Sequence, residues 1–354
     1  MNKFEERLIK LRKIISAKGL DALFTSFAPN VSYFTGSAGD DCSLYITKDQ
    51  AYIITDFRYR EVVQKFTWLN YVEIGLNYSL SDFIKEQAEK NIAIEKEHLC
   101  LSDYLSFSKD DSKNFVFSSG LIESLREVKD SDEIEYTRKA CEISCKAFDY
   151  MLGIIKPGLT EITLAAELEY FMRRNGAEST SFSTILISGA KTSLPHGVPS
   201  DDVLKEGSFV LMDYGCKYNG YCSDMTRTVA LGKPTQEMKD VYSVVLEAQL
   251  ECCNRIKAGI LGSDAHKIAS DIIAKAGYGD YFGHGLGHGT GLEIHEAPRY
   301  SPSWNKEIKE NSIVSIEPGI YLPNKFGIRI EDLALVGKKG IINFVFAPKE
   351  LLII

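Results

Sequence analysis

Apolar residues recur at Phe4, Leu8, Leu11 and Ile15, three and four positions apart with charges between them. That spacing predicts an amphipathic helix over residues 3–18, ended at Gly19. The period then changes. Ala22-Leu-Phe, Ser43-Leu-Tyr-Ile-Thr and Ala51-Tyr-Ile-Ile-Thr are short β-prone runs, with Lys48-Asp-Gln as a turn between the last two, and Asn91-Ile-Ala-Ile-Glu reads as a buried strand. Up to about residue 125 these elements describe a small α/β domain. A charged segment beginning at Arg126 precedes a long helix with Ile134, Ala140, Ile143, Ala147 and Met151 on one face, so the boundary falls between 127 and 128. That helix stops at Lys156-Pro-Gly. Thr160 caps the next one, whose Ile162, Ala165, Leu168 and Phe171 face inward until Asn175-Gly176 ends it. Helices over 237–258 and 264–276 follow, and the chain is β-rich from Ile313 onward. Helices and antiparallel-looking strands interleave without strict βαβ alternation, so residues 128–354 read as an α+β domain preceded by the smaller α/β domain of residues 1–127.

Composition narrows the class. A chain of 354 residues suits two domains, and 44% hydrophobic with 25% charged residues is ordinary for a soluble globular protein. The net charge of -8 argues against nucleic-acid partners and acidic lipid surfaces, both of which call for a basic footprint. Charges thread the first residues, so no signal-peptide core is expected there, and no apolar run is long enough to span a membrane. Eight cysteines are scattered without a CxxC pair, the usage of reduced thiols in a cytoplasmic protein.

The candidate chemistry begins in residues 281–296, which hold three of the six histidines. His284 and His288 are four apart, but glycines at 283, 285, 287, 289 and 291 make a helix there improbable and let an extended main chain pass close to another surface. Upstream, the strands ending Phe209-Val-Leu-Met-Asp213 and beginning near Asp224 are joined through Lys217-Tyr-Asn-Gly220. A four-residue loop would set Asp213 opposite Asp224; a two-residue loop would make them diagonal neighbours. Either way two carboxylates converge behind an apolar run, where an unpaired charge is expensive and a cation would relieve it. Glu317 lies between Ile316 and Pro318, also an apolar setting. Residues 327–335 read as one alternating strand with Arg329 and Glu331 on the same face, an arrangement equally typical of a surface salt bridge. Asp213, Asp224, His288, Glu317 and Glu331 form an oxygen-rich set with one nitrogen. It suits Mn²⁺, Co²⁺, Fe²⁺ or Zn²⁺, and its carboxylate excess can neutralise two divalent ions.

The order Asp, Asp, His, Glu, Glu resembles the pita-bread metallopeptidases, and among them the Xaa-Pro peptidases aminopeptidase P and prolidase. The matching stretches are Met212-Asp-Tyr-Gly, Ser223-Asp-Met-Thr-Arg-Thr, the run from His284 to Pro298, Ile316-Glu-Pro-Gly-Ile-Tyr321 and Gly327-Ile-Arg-Ile-Glu-Asp332. Asn30-Val-Ser-Tyr-Phe-Thr-Gly36 and Thr55-Asp-Phe-Arg-Tyr59 are similar to the creatinase-type N-terminal domain. The resemblance implies that Asp213, Asp224, His288, Glu317 and Glu331 bind two divalent ions, Mn²⁺ first among the candidates, with Asp224 and Glu331 bridging. It implies that Glu317 doubles as the acid/base and that His196, His284 and His295 orient substrate and stabilise an oxyanion. Arg329 would orient the bridging carboxylate. His98 and His266 match no motif and read as surface or packing residues.

The expected activity is that of an Xaa-Pro aminopeptidase, with an Xaa-Pro dipeptidase as the alternative and a metal-free peptide-binding protein on the same fold as the non-enzyme reading. A methionine aminopeptidase lacks an N-terminal domain of this type, and creatinase lacks the ligand set. The expected partners are a proline-containing peptide and, by resemblance, a second copy of the chain.

Overall fold

In the computed structural model, which describes residues 1–36, 41–109 and 112–354, the first helix spans Lys3–Ala17. The Asn2 side chain accepts from Glu5 N while the Glu5 carboxylate accepts from Asn2 N, and Leu8, Leu11 and Ile15 are buried. The unit Met1–Arg126 is built on a six-stranded mixed sheet. Ala22–Thr25 lies inside it, antiparallel to Ser43–Thr47 and parallel to Asn91–Glu95. The Ser43–Thr47 and Ala51–Thr55 hairpin forms as its sequence predicts.

The unit Glu127–Ile354 opens with the helix Ser131–Ile154, capped by Asp130 and Glu133, followed by Glu161–Arg174, capped by Thr160. The buried stripe of the second helix is Glu161, Leu164, Ala165, Leu168 and Met172. Ile162, expected inside, is 48% exposed, because it sits about 100° around the helix from Glu161. A second helical pair is formed by Gln236–Arg255 and Gly262–Lys275. Among the described residues no helix is long and apolar enough to cross a membrane.

Between these helices lie antiparallel strands. Ser208–Tyr214 is flanked by Ile185–Ser188 and Met225–Leu231. Its alternation sorts the faces: Val210, Met212 and Tyr214 join the core under the first helical pair, whereas Phe209 joins the core under the second. Asp213 therefore shares its face with Phe209 and Leu211, away from the first helices. A five-stranded sheet runs in the order 296–300, 287–289, 313–316, 332–336, 341–343.

Two details set the site. Tyr218 pairs with Tyr221 across a two-residue turn in which Asn219 (φ 47°) and Gly220 (φ 79°) are both left-handed. The four-residue loop is thereby excluded: Thr226 opposes Asp213, and Asp224 is the diagonal neighbour. The expected single strand over 327–335 is instead two. Phe326–Arg329 pairs with Gly319–Leu322, while Asp332–Val336 pairs with Ile313–Ile316. Both are buried throughout, so the period-two exposure of a surface strand is lost.

Candidate active site

The glycine-rich run forms the extended strand Gly287–Gly289. A Cβ at Gly287 would lie 2.1 Å from the Ser315 carbonyl oxygen, and one at Gly289 would lie 2.2 Å from that of Ala297. Glycine is needed here for close approach of main chains. The consequence is that His288 is drawn in beside the strand leading to Glu317, where His288 N donates to Ser315 Oγ at 3.0 Å and Ser315 Oγ donates to Glu317 Oε1 at 3.0 Å.

Asp224, His288 and Glu331 are buried, and their ligating atoms lie within 4.8 Å of one another. His288 Nε2 is 3.5 Å from Asp224 Oδ2 and 3.3 Å from Glu317 Oε1. Its Nδ1 lies 3.1 Å from the Gly289 carbonyl, which can only accept, so Nδ1 carries the proton. Burial, with His295 nearby, pushes the imidazole pKa down to about 3, so the ring is neutral and Nε2 presents a lone pair to the carboxylates. Asp213 borders this group and is tied to it by Arg329, whose Nη2 donates to Asp213 Oδ2 at 2.5 Å. The surface salt-bridge reading of Arg329 and Glu331 fails: they are 3% and 1% exposed, and Arg329 pairs with Asp213.

The electrostatics are those of a cluster short of positive charge. Burial, together with the neighbouring carboxylates, holds Asp224 and Glu331 well above the ordinary carboxylate range. Glu317 is pushed up to about 7, chiefly by burial and against the pull of Arg329. Among the described residues, Asp213 Oδ1 and Glu331 Oε1 are buried without a hydrogen-bond partner. Orphaned oxygens facing a lone-pair nitrogen are what a divalent cation satisfies, so the donor set fits the metal ions that the chemistry implies.

The auxiliary residues line one cavity of about 1030 Å³ that holds His196, Asp213, Asp224, His284, His288, His295, Glu317, Arg329 and Glu331. The His295 ring meets that of His288 edge to face at 4.4 Å, and its pKa is lowered by burial. His284 is engaged at both nitrogens. Nδ1 donates to the Gly285 carbonyl at 2.8 Å, which leaves Nε2 to accept from Tyr321 Oη at 2.9 Å. Tyr321 Oη in turn accepts from Arg329 Nη1 at 2.8 Å. His284, with its pKa lowered to about 4 mainly by burial, thus steadies Tyr321 and Arg329 in this conformation. His266 accepts from Leu286 N at 3.2 Å and so supports the approach to the strand. His98 stacks on Phe27 at 3.6 Å.

Three participants escaped the sequence reading. Tyr321 has no periodicity to mark its role, but a hairpin between 319–322 and 326–329 sets it diagonal to Arg329, and that turn was a usable signal. Thr226 Oγ1, which donates to Glu331 Oε2 at 2.7 Å and accepts from Arg329 Nε at 3.1 Å, needed the register. Arg299 lines the cavity and carried no signal.

Comparison with known proteins shows the family. The profile of metallopeptidase family M24 matches residues 135–338, and that of the creatinase/prolidase N-terminal domain matches residues 7–128. The solved structure of an Xaa-Pro dipeptidase from Bacillus anthracis is similar with TM-score 0.96 and 39% identity, covering 99% of this chain and 100% of that one. An Xaa-Pro dipeptidase of Pyrococcus furiosus is 36% identical over 358 residues, 98% of this chain and 100% of its own. The structure of an X-Pro aminopeptidase from Thermotoga maritima is similar with TM-score 0.89 and 36% identity, covering 95% and 98%.

Proposed function

This chain belongs to metallopeptidase family M24, with a creatinase-type N-terminal domain and a pita-bread catalytic domain, and from that premise we propose that it is an Xaa-Pro dipeptidase. The sequence motifs do not settle aminopeptidase against dipeptidase, and the expectation set aminopeptidase first. The Xaa-Pro dipeptidases of Bacillus anthracis and Pyrococcus furiosus, similar over nearly their whole length, favour the alternative, and the order is reversed here.

The observation that carries the reading is the facing of His288 Nε2, a lone pair, onto Asp224 Oδ2 and Glu317 Oε1 at 3.5 and 3.3 Å beside two unpartnered carboxylate oxygens. Asp213, Asp224, His288, Glu317 and Glu331 are the residues that would hold two divalent ions, Mn²⁺ by preference. Such ions supply polarisation of a scissile carbonyl and acidification of water. Glu317, held by Ser315, exchanges the proton between the nucleophile and the proline nitrogen. Arg329 and Thr226 hold Asp213 and Glu331 in place, and Tyr321 with His284 holds Arg329. His295 and His196 face the substrate. A dipeptide whose scissile bond precedes proline offers no amide N–H at that bond, so recognition falls on the groups around it. A homodimeric, cytoplasmic enzyme completes the proposal, resting on the family resemblance and on the cysteine usage.

The test is hydrolysis by metal-stripped protein reloaded with Mn²⁺, Co²⁺ or Zn²⁺. Ala-Pro should be cleaved with higher kcat/KM than Ala-Pro-Ala. Equal or better cleavage of the tripeptide would return the aminopeptidase reading to first place, and inertness of every metal form on both would overturn the peptidase reading.

A further inference from the structure

Of the predicted site histidines, His196 and His295 are exposed, and among the described residues the His196 ring has no hydrogen-bond partner. Its position is set by the backbone that carries it, the segment 188–200, which also supplies Pro195 and Val198 to the cavity wall. The ends of that segment converge on one carboxylate. Glu161, the first residue of the helix Glu161–Arg174, is 0% exposed. Its Oε1 accepts from Ser188 N at 2.7 Å and Ser188 Oγ at 3.1 Å. Its Oε2 accepts from Lys191 Nζ at 2.7 Å, Ser200 N at 3.2 Å and Ser200 Oγ at 3.3 Å. Lys191 Nζ also donates to Ser200 Oγ at 2.7 Å and to Asp202 at 3.2 Å.

The helix start joins the same clasp from the main chain. Glu161 N donates to the Asp202 carbonyl at 3.1 Å and Ile162 N to the Ser200 carbonyl at 3.0 Å, so helix-terminal donors that have no partner within the helix are used on the loop. A full complement of donors around a buried carboxylate is a rigid arrangement. One further anchor joins the segment to the metal-side strands: Gly327 N, in the strand ending at Arg329, donates to Thr192 Oγ1 at 2.8 Å.

We propose that Glu161 is a positioning residue that clasps both ends of the 188–200 segment and thereby sets His196 over the cavity. The assignment rests on the peptidase reading for the catalytic effect, but the clasp itself does not. Glu161 touches neither the cavity nor the carboxylate cluster, so its effect runs through His196.

Two readouts separate the possibilities. The first is a double-mutant comparison on Ala-Pro. Glu161→Gln should lower kcat/KM by about ten- to a hundredfold, the size expected of an ångström-scale misplacement, and should add little further loss in a His196→Ala background. An equal loss in both backgrounds would show general destabilisation and overturn the proposal. The second needs no turnover: trypsin should cut after Lys191 at least about tenfold faster in Glu161→Gln than in wild type, in proportion to the population of the opened segment, and the His196 ring resonances should shift while those of His266 stay. Unchanged cleavage and unchanged His196 resonances would equally overturn it. If wild type is inert on every peptide while the second readout responds, the peptidase reading has failed and the clasp has not. Should Glu161→Gln not fold, Lys191→Met removes one arm of the clasp and, because it also removes the trypsin site, is expected to move kcat/KM and the His196 resonances in the same direction by less.

Discussion

Glu331 and Asp332 are neighbours in the chain and almost equally buried, at 1% and 0% exposure, yet their surroundings are opposite. Asp332 Oδ1 accepts from Arg227 Nη2 at 2.8 Å. Its Oδ2 accepts from Lys349 Nζ, Gln249 Nε2 and Asn343 Nδ2 at 2.5, 3.0 and 2.5 Å. Burial alone would raise its pKa, but Arg227 and Lys349 outweigh that and bring it below the usual carboxylate value. Among the described residues Glu331 has one side-chain donor, Thr226, and an orphaned Oε1. Burial and the nearby Glu317 and Asp213 hold its pKa well up. A buried carboxylate that the protein has itself neutralised is structural; one left short of positive charge is available to an ion.

The largest effect should come from breaking the uncompensated member. Glu331→Gln is expected to lower dipeptide hydrolysis by about 10³-fold or more, since water activation depends on the ions. The melting temperature of the metal-free protein should hold or rise, because one like charge leaves the cluster. A metal-free variant that melts well below wild type would contradict the contrast.

Asp332→Asn is the mirror case. It should cost about 3–5 kcal/mol of stability by leaving Arg227 and Lys349 short of a counter-charge, measured by denaturant unfolding. The folded fraction should still bind metal, and full stability with lost binding would reverse the two roles.

Glu95, in the N-terminal unit, sharpens the comparison as an intermediate. It accepts from Thr25 and from Asn30 at 2.5 Å, but burial, with Glu123 adding to it, pushes its pKa up to about 7. A carboxyl with a raised folded pKa stabilises fully below its unfolded value and loses that contribution as pH rises through 7. The N-terminal unit should therefore lose about 3 kcal/mol between pH 5 and pH 8. Asp332 has the opposite sign: its contribution is present above the unfolded value and fades as pH falls through its lowered folded one. Trp68 fluorescence in a Trp304→Phe background reads the first slope, and Glu95→Gln should flatten it.

Arg329→Lys carries the smallest effect. It keeps the charge but loses the fork that reaches Asp213, Tyr321 and Thr226 together. A loss of about ten- to a hundredfold in kcat/KM is expected, with unfolding little changed; wild-type kinetics would remove Arg329 from the site.

Local pattern made much of this legible. The spacing of Leu8, Leu11 and Ile15 and the capping residue Thr160 mark helices, and Asn219-Gly220 marks a turn, because each acts within a few residues. What stayed hidden depends on distance along the chain. Whether Asp224 sits opposite or diagonal to Asp213 turns on the length of one loop. The break between Arg329 and Asp332 arises from pairing with two different strands. Asp332 draws its partners from positions 227, 249, 343 and 349, and Glu161 from 188, 191 and 200, so no local period could announce either. The carboxylates of the candidate site were easier to single out because charged residues in apolar runs conflict with their own surroundings.

The most direct measurement is metal uptake by the stripped protein, counted by equilibrium dialysis against Mn²⁺. Two ions per chain are expected in wild type and in the folded Asp332→Asn variant, with fewer in Glu331→Gln. Failure of wild type to take up ions, or uptake undiminished in Glu331→Gln, would contradict the claim that the unsatisfied carboxylates form the metal site.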